Sequence, residues 1–195
     1  MAKVPSRAEA YELLTRYVKS DNLINHALAV EAVMAHFAER FAPDEVEKWR
    51  GIGLVHDLDY EQYPDEHCQR VKGILEAEGW PSEYIRAIQS HGWQICTDVE
   101  PKETMEKVLY TIDELTGLVV ATVLMRPSRS ILDLSVSSLK KKWKQKNFAA
   151  GVNREVVEAG AEMLGMDLDE IFAETIKGMQ KAAKELGLAG EAGDL

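Results

Sequence analysis

An imidazole and a carboxylate stand side by side at His56-Asp57, inside a stretch that is otherwise apolar: Gly51-Ile52-Gly53-Leu54-Val55 before the pair and Leu58 after it. Burying two such groups without partners costs several kcal/mol, on the order of 2–7 for each neutral polar group and more for a charge. A metal ion is the simplest partner that satisfies both. The rest of the chain supplies the other donors such an ion needs. His26 lies on an amphipathic run, His67 follows Pro64-Asp65-Glu66, His91 sits in Gln89-Ser90-His91-Gly92-Trp93, and Asp113 sits in Tyr110-Thr111-Ile112-Asp113-Glu114-Leu115.

The periodicity around these residues is helical throughout. Ser6-Arg7-Ala8-Glu9 has the form of a capping box and opens a first helix through Val18. Asp21 or Asn22 caps a second, on which Leu23, His26, Ala27, Val30, Met34 and Phe37 recur at helical spacing. Pro43-Asp44 begins a third, predicted to run through Trp49 as far as Leu58. A fourth runs from Pro64 to about Gly79, and a fifth from Pro81 to His91 with Gly92 as its stop. The sixth spans Glu103 to Met125 and carries Asp113 beside an apolar face. Beyond the break at Arg126-Pro127, three further helices are expected: one through Trp143, one capped by Asn153 and one capped by Asp167 that runs through Leu186. No alternating strand pattern occurs, so the fold class is all-α. At 195 residues one domain is expected, covering 1–188, with the site carried by 21–125, C-terminal helices over 135–188 and a frayed tail at 189–195.

The ordered set His26, His56-Asp57, Asp113, with His67 and His91 between, resembles the HD superfamily of metal-dependent phosphohydrolases. The resemblance spans about half the chain, from Asp21 to Leu118. It implies a helical bundle of the HD type. His26, His56, Asp57 and Asp113 would hold a first divalent ion, and Asp57, His67 and His91 a second, as in the dinuclear branch of that family. His56 and Asp57 become the catalytic pair, and metal-activated water would cleave a small-molecule phosphate ester such as a nucleotide. The chain reads His56-Asp57-Leu58-Asp59 where many relatives read His-Asp-Ile-Gly, which adds a carboxylate at Asp59.

Mixed imidazole and carboxylate donors suit Mn, Fe, Mg, Co, Ni or Zn, and either one or two ions. Two further readings use the same ligands: a di-iron oxygenase of the wider family, and a metal-stabilised module that binds a nucleotide or protein without turnover. Asp59 and Glu66 are candidates for orienting the ligand histidines, whereas His36 points to another face and is structural.

The formal net charge of -10 argues against nucleic-acid binding, but the charge is uneven. Eight basic residues against Asp133 alone lie between Arg126 and Arg154, which makes Arg126, Arg129 and Lys140 candidates for substrate phosphate oxygens. Cys68 and Cys96 show no Cys-x-x-Cys spacing and read as free thiols. No run reaches the roughly 20 apolar residues of a membrane span, and no apolar leader opens the chain. A cytoplasmic protein is expected. Four tryptophans and the long apolar sixth helix leave room for a homodimer.

Overall fold

The computed structural model describes residues 4–190 and is helical: among them nine α-helices and no strand, only two isolated bridges. The helices are α1 (Arg7–Tyr17), α2 (Asp21–Phe41), α3 (Val46–Val55), α4 (Arg70–Ala77), α5 (Ser82–Ser90), α6 (Thr104–Leu124), α7 (Val136–Trp143), α8 (Arg154–Leu164) and α9 (Leu168–Lys181). Among the described residues no helix is long and apolar enough to cross a membrane.

Two 21-residue helices, α2 and α6, form the centre because each has an apolar stripe long enough to be buried over many turns. Val30, Val33, Met34 and Phe37 of α2 and Leu109, Ile112, Leu115 and Val119 of α6 are buried in one continuous core. Each such side chain contributes on the order of 1.5–3 kcal/mol relative to exposure. Against α2 lies α3, and Gly53 sets how close. A Cβ at Gly53 would stand 3.0 Å from Met34 Cγ and 3.2 Å from the Glu31 backbone, so only glycine lets the two helices approach so closely. Glu31, itself buried, accepts hydrogen bonds from Arg7 on α1 and Arg50 on α3 and ties the three helices together.

The capping box forms as its sequence implies, with the Ser6 amide donating to Glu9 Oε2 at 2.8 Å and the Glu9 amide to Ser6 Oγ at 3.3 Å. Asn153 caps α8 by accepting from the Val156 amide. Elsewhere the boundaries move. The N-cap of α2 is Ser20, and Asp167 occupies the N-cap of α9 without a side-chain capping bond.

The third helix stops at Val55, three residues before Leu58, because the chain tightens into three-residue turns: the Leu58 amide donates to Val55 O and the Tyr60 amide to Asp57 O. The fourth does not begin at Pro64. Pro64–Glu66 is a single 3-10 turn, Cys68 then takes a left-handed backbone with φ 64°, and the α-helix starts at Arg70. The last helix ends at Lys181 rather than Leu186, and Leu186 and Leu188 pack on the core from the turns that follow. Ala189, expected to be frayed, is held: Ser130 Oγ donates to its carbonyl at 2.9 Å, beside a bond from the Ile131 amide to Leu188 O. Residues 191–195 of that tail lie outside the described residues.

Candidate metal centre

Five elements deliver the donors to one place. α2 brings His26 from its second turn and the end of α3 brings His56 and Asp57. The turn before α4 brings His67, the C-cap of α5 brings His91, and the middle of α6 brings Asp113. Side chains separated by up to 87 positions in sequence therefore meet in one cluster.

The donors fall into two groups that share Asp57. In the first, His26 Nε2 lies 3.1 Å from His56 Nε2, 2.9 Å from Asp113 Oδ1 and 3.5 Å from Asp57 Oδ2. His56 Nε2 lies 3.2 Å from Asp113 Oδ1 and 3.4 Å from Asp57 Oδ2. In the second, His67 Nε2 and His91 Nε2 are 3.2 Å apart, and Asp57 Oδ1 is 3.4 and 3.3 Å from them. Metal–ligand bonds of about 2.0–2.2 Å place neighbouring donors roughly 2.8–3.6 Å apart. Both groups have that spacing, so the residues fit a divalent ion in each.

The tautomers agree with that fit. His56 Nδ1 donates to Gly53 O at 2.7 Å, His91 Nδ1 donates to Ile88 O, and His67 Nδ1 donates to Asp59 Oδ1 at 2.7 Å. Thr116 Oγ1 spends its own proton on Asp113 O and accepts from His26 Nδ1 at 3.4 Å. Each of the four imidazoles is thus held through Nδ1–H and turns Nε2 inward, where deprotonation would present a lone pair to an ion, the arrangement by which a second set of hydrogen bonds fixes metal ligands.

Without an ion these groups hold one another by proton sharing. Burial opposes charge on His26, but hydrogen bonds to Asp113 and Asp57 outweigh it and raise its pKa to about 9. Burial likewise opposes charge on His56, and the adjacent Asp57 and Asp113 charges lift it well above its ordinary value. Asp57 and Asp113, despite burial, are held below the ordinary carboxylate range by the same histidines. A cluster that attracts protons this strongly is one in which a cation is electrostatically welcome.

The cluster opens on a cavity of about 330 Å³, at the small end for ligand pockets, whose further walls include Tyr60, Ile95, Cys96, Glu114, Val152 and Val156. Among the described residues no lysine or arginine lines it. Of the three cationic candidates, Arg126 pairs with Asp133 at 3.1 Å and Lys140 with Asp169 at 2.7 Å, while Arg129 occupies a left-handed turn with φ 45°. The structure brings none of them to the cavity. Glu66 does not orient a histidine either, since its carboxylate pairs with Arg70 at 2.8 Å on the surface. Asp59 does, and it is fully buried, with its second oxygen accepting from the Val71 amide at 2.7 Å. His36 lies apart from the cluster, bonded to Glu174 at 2.7 Å.

Three orienting groups escaped sequence reasoning. Two are the carbonyls of Gly53 and Ile88, which leave no side-chain signature. The third, Thr116, could have been found from its place one turn after Asp113 on α6. Comparison of the chain with family models, with curated proteins and with solved structures returns no match.

Proposed function

We propose that the protein is a dinuclear phosphoester hydrolase of the HD type. The observation that carries this reading is the position of Asp57, whose Oδ2 faces His26 and His56 while its Oδ1 faces His67 and His91. One carboxylate serving two donor groups is the arrangement a bridged pair of divalent ions requires. Such a pair, when bound, would polarise a phosphate ester and lower the pKa of a coordinated water.

The chain's own residues do the rest. His26, His56 and Asp113 complete the first group, and His67 and His91 the second. Asp59, Thr116 and the carbonyls of Gly53 and Ile88 hold every Nε2 in register, so little reorganisation is needed when substrate arrives. Tyr60, Ile95 and Val152 form an apolar wall at the mouth of the cavity, against which the organic part of an ester can rest. With no lysine or arginine among the described residues of that wall, a compact phosphomonoester suits the cavity better than a polyphosphate, whose extra charges would meet Glu114.

The same wall favours a second reading. Filled with iron, these ligands would suit a di-iron oxygenase acting on an uncharged or hydroxylated substrate, for which a cavity without cations is no handicap. The test is inorganic phosphate release from a panel of nucleotides and simple phosphomonoesters with manganese, magnesium, cobalt or iron supplied, run beside the Asp57→Ala variant. Metal-dependent release that vanishes in the variant supports hydrolysis. Oxygen consumption by the ferrous-loaded protein without phosphate release supports the oxygenase, and metal-dependent thermal stability with neither supports a binding module.

A further inference from the structure

Behind His67 and His91 the fold encloses two sulfurs. Cys68 follows His67 directly, and its left-handed backbone turns its side chain inward, where it is fully buried. Cys96 comes from the tight loop after α5, whose amides at 95, 96 and 97 all donate to Gly92 O. The two Sγ atoms are 2.8 Å apart. Gly92 is what leaves room for them: a Cβ there would lie 2.2 Å from Cys96 Sγ and 2.6 Å from Cys68 Sγ. Gly92 has no left-handed backbone, so its smallness rather than its flexibility is what the site uses. Cys96 is partly exposed and lines the cavity, whereas Cys68 is sealed beneath it.

We propose that Cys68 and Cys96 are an oxidisable dithiol that closes to an intramolecular disulfide and clamps the turn bearing His67 to the loop that follows His91. Bond formation brings the sulfurs together by less than about 1 Å, toward an S–S length of about 2.05 Å. The oxidant is a peroxide entering by the cavity. The Cys96 thiolate attacks one peroxide oxygen and the O–O bond breaks, giving a sulfenic acid and, after proton uptake, water. The Cys68 sulfur then attacks the Cys96 sulfur, and the hydroxyl leaves with the thiol proton as a second water. Two electrons pass from the sulfurs to the peroxide and the atoms balance. The resulting loop runs over residues 68–96 and contains His91, so closure restrains the second donor group whatever reaction the centre performs.

The same cluster admits a rival use of Cys68, whose Sγ is 3.9 Å from His91 Nε2 and groups with His67 and His91 as a conceivable metal ligand. One experiment separates the two. Reduced protein, metal-free and manganese-loaded in parallel, is treated with hydrogen peroxide, quenched with iodoacetamide and weighed intact. The proposal predicts a loss of 2 Da, no alkylation, a Cys68–Cys96 cross-linked peptide in both samples, and a Tm at least about 5 °C above the reduced form. Cys96→Ser should show neither the mass loss nor the Tm gain, and Cys68→Ser should leave a Cys96 sulfenic acid that dimedone traps. Two alkylated thiols after peroxide on folded protein would overturn the proposal. So would oxidation in the metal-free sample combined with protection of Cys68 by the ion. Because the metal-free sample is read by itself, a failure of metal binding cannot be mistaken for a failure of the dithiol.

Discussion

Asp59 accepts the Nδ1 proton of His67 at 2.7 Å from full burial, and the opposite face of the same ring presents Nε2 to Asp57. The extra carboxylate in His56-Asp57-Leu58-Asp59 is therefore a positioning group for the second set of donors. Asp59→Asn keeps the shape but leaves one acceptor oxygen for two donors, so with that oxygen on the Val71 amide its NH2 opposes His67 Nδ1–H. The second ion should bind 10–100-fold more weakly with the first unchanged, as read by isothermal titration calorimetry with cobalt. Equal loss at both sites would contradict this division of roles.

In the metal-free protein His26 titrates near 9 against an ordinary value of 6.5. A raised histidine contributes stability that is fully present below about pH 6.5 and is lost as the pH rises through about 9. The metal-free protein should therefore melt at progressively lower temperature between pH 6.5 and 9.5, and His26→Gln should flatten that slope. Ion binding needs the neutral imidazole, so it should release protons at pH 7.5, measurable as a dependence of the calorimetric heat on buffer.

Gly53 couples packing to the centre, because its missing Cβ lets α3 approach α2 and its carbonyl holds His56 Nδ1. Gly53→Ala places a methyl group 3.2 Å from the Glu31 backbone and 3.0 Å from Met34 Cγ and should destabilise by about 1–3 kcal/mol. It should also lower ion affinity by displacing His56. Glu31→Ala in the same layer breaks the bonds to Arg7 and Arg50 but touches no ligand. It should cost about 1–2 kcal/mol, because Arg7 and Arg50 reach solvent and keep Glu185 and Glu47 as partners, and leave metal stoichiometry intact, a contrast read by thermal melts and by metal analysis.

Much of this was legible in the residues. Helical spacing with caps at Ser6 and Asn153 located most of the helices, and an imidazole beside a carboxylate in an apolar run pointed to a buried centre. What escaped depends on the path of the chain. Asp57 can face both donor groups because the backbone leaves the α-helix at Val55, and no local pattern marks that turn among such apolar neighbours. The pairing of Cys68 with Cys96 depends on a left-handed residue and a distant glycine. The basic segment is a strong signal in one dimension, yet Arg126 and Lys140 find carboxylates close by and stay away from the cavity.

The most direct test of the central claim is the number of ions held. Purified protein loaded with manganese or cobalt, freed of excess ion and analysed by elemental mass spectrometry should carry two ions per chain, His91→Ala one, and Asp57→Ala fewer than one. A single ion in the unaltered protein, or two ions retained by Asp57→Ala, would contradict a centre bridged by Asp57.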